Sequence, residues 1–352
     1  MDLKILHVFN RGNAPYNLVK GLRMKNVQAD LIYSAKEGNI SDPSWEGSRK
    51  NEPWLSEWKG DSLHMLSNKR DFVELYKKAR QYDLLHLHYP ASTFLQFTFK
   101  PFVVHETGWI RIIPFRNNFT DRLMKRSFAN AKCVVMTNPD CYSLLEGLKY
   151  KKEYFLPFGV DTSFYHVANE PESDDLVFVH PNRQHWEYKG TDKLLRAFSR
   201  FIEDNPSAKL IMIKYGADYE KSLELIRKLN LEKNIIWKEF MDKKELINMY
   251  QNCHAVFDQF NVGSYGTAGI EAMACGKPLV IHIDEKWYAK CFGEICPVIQ
   301  ANSEEEILAA MILIKDKSAR KKYSVQSREF AVKHHNLEVV ADKCIRLYNE
   351  II

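Results

Sequence analysis

The chain has 352 residues, long enough for two domains with separate cores, and its 45% hydrophobic and 27% charged residues exclude a disordered or collagen-like polymer. No apolar run approaches the ~20 residues that span a bilayer, and the seven cysteines are scattered without disulfide-scaffold or zinc-ligand spacing. The formal charge of +5 is uneven: residues 1–165 hold 24 Lys and Arg against 17 Asp and Glu, the remainder 26 against 28. The basic half suits an anionic membrane or acidic acceptor as well as a plainly solvated surface. No nucleic-acid-binding module accompanies it, so no nucleic-acid partner is expected.

The opening MDLKILHVFN runs straight into a strand with no leader segment, so a cytoplasmic protein with reduced thiols is expected. Lys4 to Phe9 reads as a buried parallel strand. Its following loop, Asn10 to Asn17, carries the single Gly12, which argues against a dinucleotide fingerprint. Ala29 to Tyr33 is a second strand, and Gly38 to Gly60 is a long polar stretch holding Trp45, Trp54 and Trp58. These aromatics fit either acceptor stacking or a small satellite core. Asp83 to His88 is a strand with His86 and His88 on one face and Leu85 and Leu87 on the other; no third metal ligand follows at suitable spacing. Phe102 to Gly108 is a strand that contains His105. The segment Arg111 to Arg126 alternates basic and apolar residues, as a membrane-leaning helix or a solvated helix face would. Cys133 to Thr137 and Tyr154 to Pro157 add two more strands.

A linker composition over 167–174 separates residues 1–166 from a second strand–helix alternation at 175–335, with a final helix at 336–352. In the second half Leu176 to His180 is a strand, followed by PNRQHWEYKGTDKLLRAF, where Lys189-Gly190 stands before a helix and offers amides to an anion. Strands follow at Leu210 to Ile213 and Ile235 to Trp237, the latter leading to the Phe240-Met241 turn. Ala255 to Phe257 precedes the Gly-rich turn Gly263-Ser264-Tyr265-Gly266-Thr267, a short helix bearing the lone acid Glu271, and the strand Pro278 to Ile281. A carboxylate in so apolar a run needs hydrogen-bond partners; paired ribose hydroxyls would serve, as would a simple helix-dipole role near the amino end.

These segments together resemble the retaining glycosyltransferases of family 4. The match rests on Glu271-Ala272-Met273-Ala274 with Gly276 and Pro278, on the Arg183 to Phe198 run R-x5-K-G-x-D-x-L-L-x-A-F, and on Pro157-x-Gly159-Val160-Asp161. It departs from the family where a first glutamate is usual, since Gly263 stands eight residues before Glu271. The resemblance implies an α/β protein of GT-B architecture, two Rossmann-like domains with an interdomain cleft, the last helix crossing back to the first domain. It implies a retaining, metal-independent transfer of a sugar from a nucleotide-diphosphate donor to a glycan, a lipid-linked acceptor or another hydroxyl. Arg183 and Lys189 would hold the diphosphate and Glu271 the ribose. Amides of Ser264 to Thr267 would bind the sugar, with Gly263 contributing one contact fewer, and the backbone near Phe240 and Met241 would meet the base. Gly12 would close on the phosphate or acceptor, and His105 would lie over the donor sugar. No bound cofactor or metal is expected, UDP is favoured over GDP as the donor nucleotide, and peripheral contact with the inner face of a membrane fits the basic half. The rivals are a non-catalytic nucleotide-sugar-binding subunit, prompted by Gly263, and a nucleotide-sugar epimerase on the same fold.

Overall fold

The structure, a computed structural model, describes residues 3–38, 41–46, 52–111, 118–168, 171 and 175–352. The chain forms two compact units, Met1–Gly159 with His335–Ile352, and Val160–His334. It leaves the first unit at Gly159, ahead of the 167–174 segment read as a linker; within that segment residues 169–170 and 172–174 lie outside the described residues.

The first unit holds one parallel sheet of β1 (Ile5–Val8), β2 (Ala29–Ser34), β3 (Leu55–Trp58), β4 (Leu84–His88), β5 (Phe102–Glu106), β6 (Cys133–Met136) and β7 (Glu153–Phe155), in the order β3-β2-β1-β4-β5-β6-β7. The helices between the strands are α1 (Ala14–Met24), α2 (Lys69–Ala79), α3 (Ala91–Leu95) and α4 (Phe119–Asn130). Strands covered on both faces read as apolar runs, which is why β1, β5 and β6 were legible. Strand β3 was not, because Leu-Ser-Glu-Trp lies in a polar stretch and is a strand only through its pairing with β2. The same pairing buries Trp54 against Tyr16 and Trp58 against Phe9. The Trp58 indole N–H donates to the Asp71 carbonyl, so both rings complete a core and present no stacking surface. The side chain of Trp45 and residues 47–51 fall outside the described set, as do residues 112–117 of the basic-apolar segment.

The second unit repeats the plan with β8 (Val177–His180), β9 (Lys209–Ile213), β10 (Ile235–Lys238), β11 (Ala255–Phe257), β12 (Leu279–Ile281) and β13 (Ile299–Gln300), ordered β10-β9-β8-β11-β12-β13 and parallel throughout. Its helices are α5 (Trp186–Lys189), α6 (Thr191–Asp204), α7 (Tyr219–Lys228), α8 (Lys243–Gln251), α9 (Thr267–Ala274), α10 (Glu285–Phe292), α11 (Glu304–Lys315) and α12 (Lys317–His335). Capping boxes, Asp242 with Glu245 and Ser303 with Glu306, fix where α8 and α11 begin by satisfying first-turn amides. The last helix, α13 (Leu337–Ile351), returns to the first unit and packs on α1. Its Val340, Ala341, Cys344, Leu347 and Tyr348 fill the core that α1 and one face of the first sheet share. All seven cysteines are unpaired and all but Cys291 are buried; no described helix is long and apolar enough to cross a membrane.

In both sheets the strand order turns over between the first and fourth strands, β1|β4 and β8|β11. In doubly wound sheets the carboxyl ends at such a point form the ligand crevice. That topology decides where function is to be sought in each unit.

Candidate functional site

In the second unit the switch-point loops carry most of the residues singled out from sequence. Asn182 and Arg183 follow β8, and Asp258 and Gln259 follow β11. Asn182 Nδ2 donates to the Asp258 carbonyl (2.8 Å) and to its Oδ1 (2.7 Å), locking the two strand ends together. The Lys189 ammonium, at the end of α5, donates to Gln259 Oε1 and lies 3.7 Å from Asp258 Oδ1. Lys189 is therefore held in place by side chains of a neighbouring strand end and is not a loose surface cation. Arg183 is exposed and makes no hydrogen bond or ion pair among the described residues, so its guanidinium is open to an anion.

Two glycines allow these loops to approach one another. Gly216 follows β9 with φ +124°, and a Cβ there would lie 2.4 Å from the Gln184 nitrogen. Gly190 ends α5 at φ +64°, where a Cβ would sit 3.1 Å from that of Phe260. His180, buried at the end of β8, bonds through Nδ1 to the Phe257 carbonyl (2.8 Å) and through Nε2 to the Thr191 hydroxyl (3.1 Å). Burial drives it down to about 4, so it is neutral.

The Gly-rich turn after β11 is braced from α10. The Tyr288 hydroxyl lies 2.8 Å from Ser264 Oγ and accepts from the Tyr265 amide at 3.0 Å. The Ser264 amide donates to the Val262 carbonyl, and the Gly263 carbonyl accepts from the Asp284 amide. The amides of Ser264 and Tyr265 are thus engaged within the fold. The donors left to face a ligand are those of the first turn of α9, from Thr267, which has no side-chain cap and follows Gly266. Glu271, on that helix and nearly fully buried, pairs with the Lys243 ammonium at the start of α8. This pair draws Glu271 toward the Phe240-Met241 turn, where Phe240 meets Tyr215 edge-to-face at 5.8 Å.

Sequence reasoning named Arg183, Lys189, Gly263 to Thr267, Glu271, Phe240 and Met241, and the fold gathers all of them at the carboxyl edge of the second sheet. It missed Asn182, Asp258, Gln259, Lys243 and Tyr288. Asp258-Gln259 had a signal, a charged and an amide residue directly after a fully apolar strand; Lys243 and Tyr288 reach the site from helices whose local sequence says nothing of it. Gly12 and His105 belong to the first unit. Gly12 has φ +60° and its amide donates to Ser41 Oγ at 3.1 Å. His105 is buried with both ring nitrogens occupied, by His86 (2.8 Å) and by Thr137 (2.6 Å), and burial drives it down to about 3.

Residues 161–330 match the family model described as glycosyl transferases group 1. A poly(glycerol-phosphate) alpha-glucosyltransferase of Bacillus subtilis (strain 168) is 28% identical over 144 residues, 40% of this chain and 21% of its own length. An uncharacterized glycosyltransferase of Methanocaldococcus jannaschii is 35% identical over 107 residues, 30% of this chain and 26% of its own length. The chain therefore spans about a quarter or less of the curated relatives it matches. Among solved structures, Anabaena HepE in complex with UDP and glucose superposes with a TM-score of 0.76 at 17% identity, covering 99% of each chain. The fold is GT-B: an α/β chain of two parallel-sheet domains.

Proposed function

We propose that the chain is a glycosyltransferase that takes a sugar from a nucleotide-diphosphate donor bound at the second unit and passes it, with retention, to a hydroxyl acceptor. The observation that carries this reading is the cationic edge of the second sheet, with exposed Arg183 in the loop after β8, Lys189 oriented by Gln259 and Asp258 at the end of α5, and the uncapped amino end of α9 following β11. Departure of a nucleoside diphosphate concentrates negative charge on the oxygen that leaves the sugar. An ammonium already oriented by Gln259 and Asp258 stabilises that charge without reorganising when it develops. The amides of α9 add oriented dipoles. Glu271 is the acceptor for ribose hydroxyls, in a site where Lys243 neutralises its burial, and the Tyr215–Phe240 pair is an apolar ledge for the base.

The two carboxylates of this set are held by neighbouring side chains, Glu271 by Lys243 and Asp258 Oδ1 by Asn182 with Lys189 nearby, which suits a front-face displacement in which the departing phosphate oxygen takes the acceptor proton. The name of the Bacillus relative suggests an anionic polyol phosphate as acceptor, in keeping with the basic first half. UDP is the preferred donor nucleotide in this reading, as in the HepE complex. Calorimetric titration with UDP-, GDP- and ADP-glucose tests it: UDP-glucose should bind, and more weakly to Lys189→Ala. If none of the three binds the wild-type chain, the donor assignment fails. Transfer should also persist in EDTA, because the two cations and the helix amides are the charge-stabilising groups; activity lost to the chelator and restored by Mg²⁺ or Mn²⁺ would contradict this. A second reading, donor binding without transfer, draws on Gly263 in place of a glutamate and on Lys243 engaging Glu271. Failure to turn over any donor–acceptor pair while UDP-glucose still binds would favour it.

A further inference from the structure

One face of the first sheet, under α1 and α13, carries four histidines. His7 lies opposite His86 across β1 and β4, and His88 opposite His105 across β4 and β5. All four are buried. With Tyr348 from α13 they make a single hydrogen-bonded file. His88 Nε2 meets His7 Nδ1 at 3.4 Å, and His7 Nε2 meets the Tyr348 hydroxyl at 3.0 Å. The same hydroxyl meets His86 Nδ1 at 2.7 Å, and His86 and His105 continue the file to Thr137.

A metal is the first occupant to weigh, since nitrogens of His7, His86 and His88 all lie within 4.8 Å of one another. An imidazole offers its lone pair in the ring plane, so a bound ion must lie in all three planes at ~2.0–2.1 Å from each nitrogen. His7 and His86 instead stack face to face, centroids 4.3 Å apart and planes 16° apart; His86 and His88 stack at 5.0 Å and 19°. Nearly parallel, stacked planes do not converge on such a point. The geometry favours hydrogen bonding over coordination.

Burial holds all four imidazoles below their ordinary range, hence neutral, with one donor and one acceptor nitrogen each. Near His88 each link then dictates the next. If Tyr348 accepts from His7 Nε2, His7 Nδ1 must accept from His88 Nε2, and His88 Nδ1 is a bare lone pair. If Tyr348 donates, both links reverse and His88 Nδ1 carries the proton. In either state the file ends on His88 Nδ1, which is buried and has no partner. Two more buried, unpartnered atoms stand within five residues of it, Ser92 Oγ and Thr93 Oγ1, in the first turn of α3. His88 ends β4, beside β1, and Ser92 and Thr93 follow it in the chain, at the point where the sheet order turns over and where doubly wound sheets take their ligands.

We propose that His88, Ser92 and Thr93 bind a hydroxyl-bearing ligand, the acceptor substrate, and that the histidine file presets His88 Nδ1 as donor or acceptor to match it. A hydroxyl both donates and accepts, so it suits a nitrogen that can be set either way without gaining charge. Tyr348 and Thr137 act through His88 and are positioning residues. The inference rests on the transferase reading, because that reading supplies an acceptor.

The test is ¹⁵N NMR of the imidazole nitrogens in the full chain, assigned with single His→Gln variants and titrated with glycerol 3-phosphate and glucose as hydroxyl probes. UDP is titrated into the same samples to report the second unit independently. The expected result is a shift of His88 Nδ1 on adding a probe, with UDP affinity unchanged in His88→Ala. Ser92→Ala and Thr93→Val leave the file intact and should weaken the probe response about two- to tenfold, the loss of one neutral hydrogen bond. Tyr348→Phe cuts the file away from the site and should also weaken the response while leaving UDP binding alone. A His88 signal that no probe moves, while UDP binds, overturns the proposal and leaves the donor reading standing. A wild type that binds no UDP, nor GDP or ADP in its place, overturns the transferase reading and with it the acceptor assignment. Stoichiometric Zn²⁺ uptake that shifts His7, His86 and His88 together, and is lost in His7→Gln, overturns the file in favour of a metal centre.

Discussion

Lys189 and Glu271 are both charged residues at one edge of one sheet, yet their roles in the proposed reaction differ. Lys189 meets charge that grows as the glycosidic bond breaks, so its contact is stronger in the transition state than in the ground state. Lys189→Ala is expected to lower kcat by ~10²–10³. Glu271 binds hydroxyls that do not change during transfer, so Glu271→Gln should raise the donor KM with a smaller effect on kcat. Steady-state kinetics of both variants on one donor decide the matter, and equal losses in both parameters would sink the assignment. The sequence made these two residues legible because each sits in a short motif with glycines beside it. It did not show that Lys189 is oriented by Asp258 and Gln259 or that Glu271 is paired with Lys243. Those partners come from other strand ends and helices.

At the level of elements, the loops at the switch point depend on backbone approach as much as on side chains. Gly216 packs its Cα against the Gln184 backbone, and the Gln184 amide donates to the Tyr215 carbonyl at 2.8 Å. Gly216→Ala must strain φ or move that loop, so it should destabilise the chain by about 1–3 kcal/mol in urea unfolding and weaken UDP binding; a variant as stable as the wild type would show that the loop yields freely. Helix α4 raises a different question. It begins at Phe119, 67% exposed, with Arg122 and Arg126 also exposed one and two turns on. An aromatic flanked by cations on an outward face suits an anionic membrane surface. Charge reversal at Arg122, Lys125 and Arg126 is expected to reduce sedimentation with anionic vesicles, most clearly at low salt. Wild-type chain left in the supernatant at low salt would remove the membrane from the picture.

For the whole molecule, the buried neutral histidines set a direction for acid stability. His7, His86, His88, His105 and His180 all have folded values depressed by burial, His105 to about 3 and His180 to about 4. Unfolded, each takes up a proton near 6.5, so between there and its folded value the unfolded state binds more protons. Stability is then full above about pH 6.5 and falls as the pH drops, by roughly 1.4 kcal/mol per pH unit for each such group. Four of the five lie in the first unit, so residues 3–159 should open before 160–334. Hydrogen exchange at pH 7.5 and pH 5 measures this; equal protection of both units at pH 5 would count against neutral, buried imidazoles.

The local sequence determined most of the strands, the Gly-rich turn and the cationic loop, because apolar runs, glycines and charge pairs act over a few residues. Alternation within Leu84–His88 already put His86 and His88 on one face. That His7 is their neighbour depends on parallel register across β1 and β4, and that Tyr348 joins them depends on a helix more than 250 residues away in the chain. Trp54 and Trp58 fitted a small core or, less readily, a ligand platform until the pairing of β2 with β3 buried them. Short-range chemistry is written in neighbouring residues; which buried polar atoms find partners, and which one is left at the end of the file, was decided only when distant segments packed.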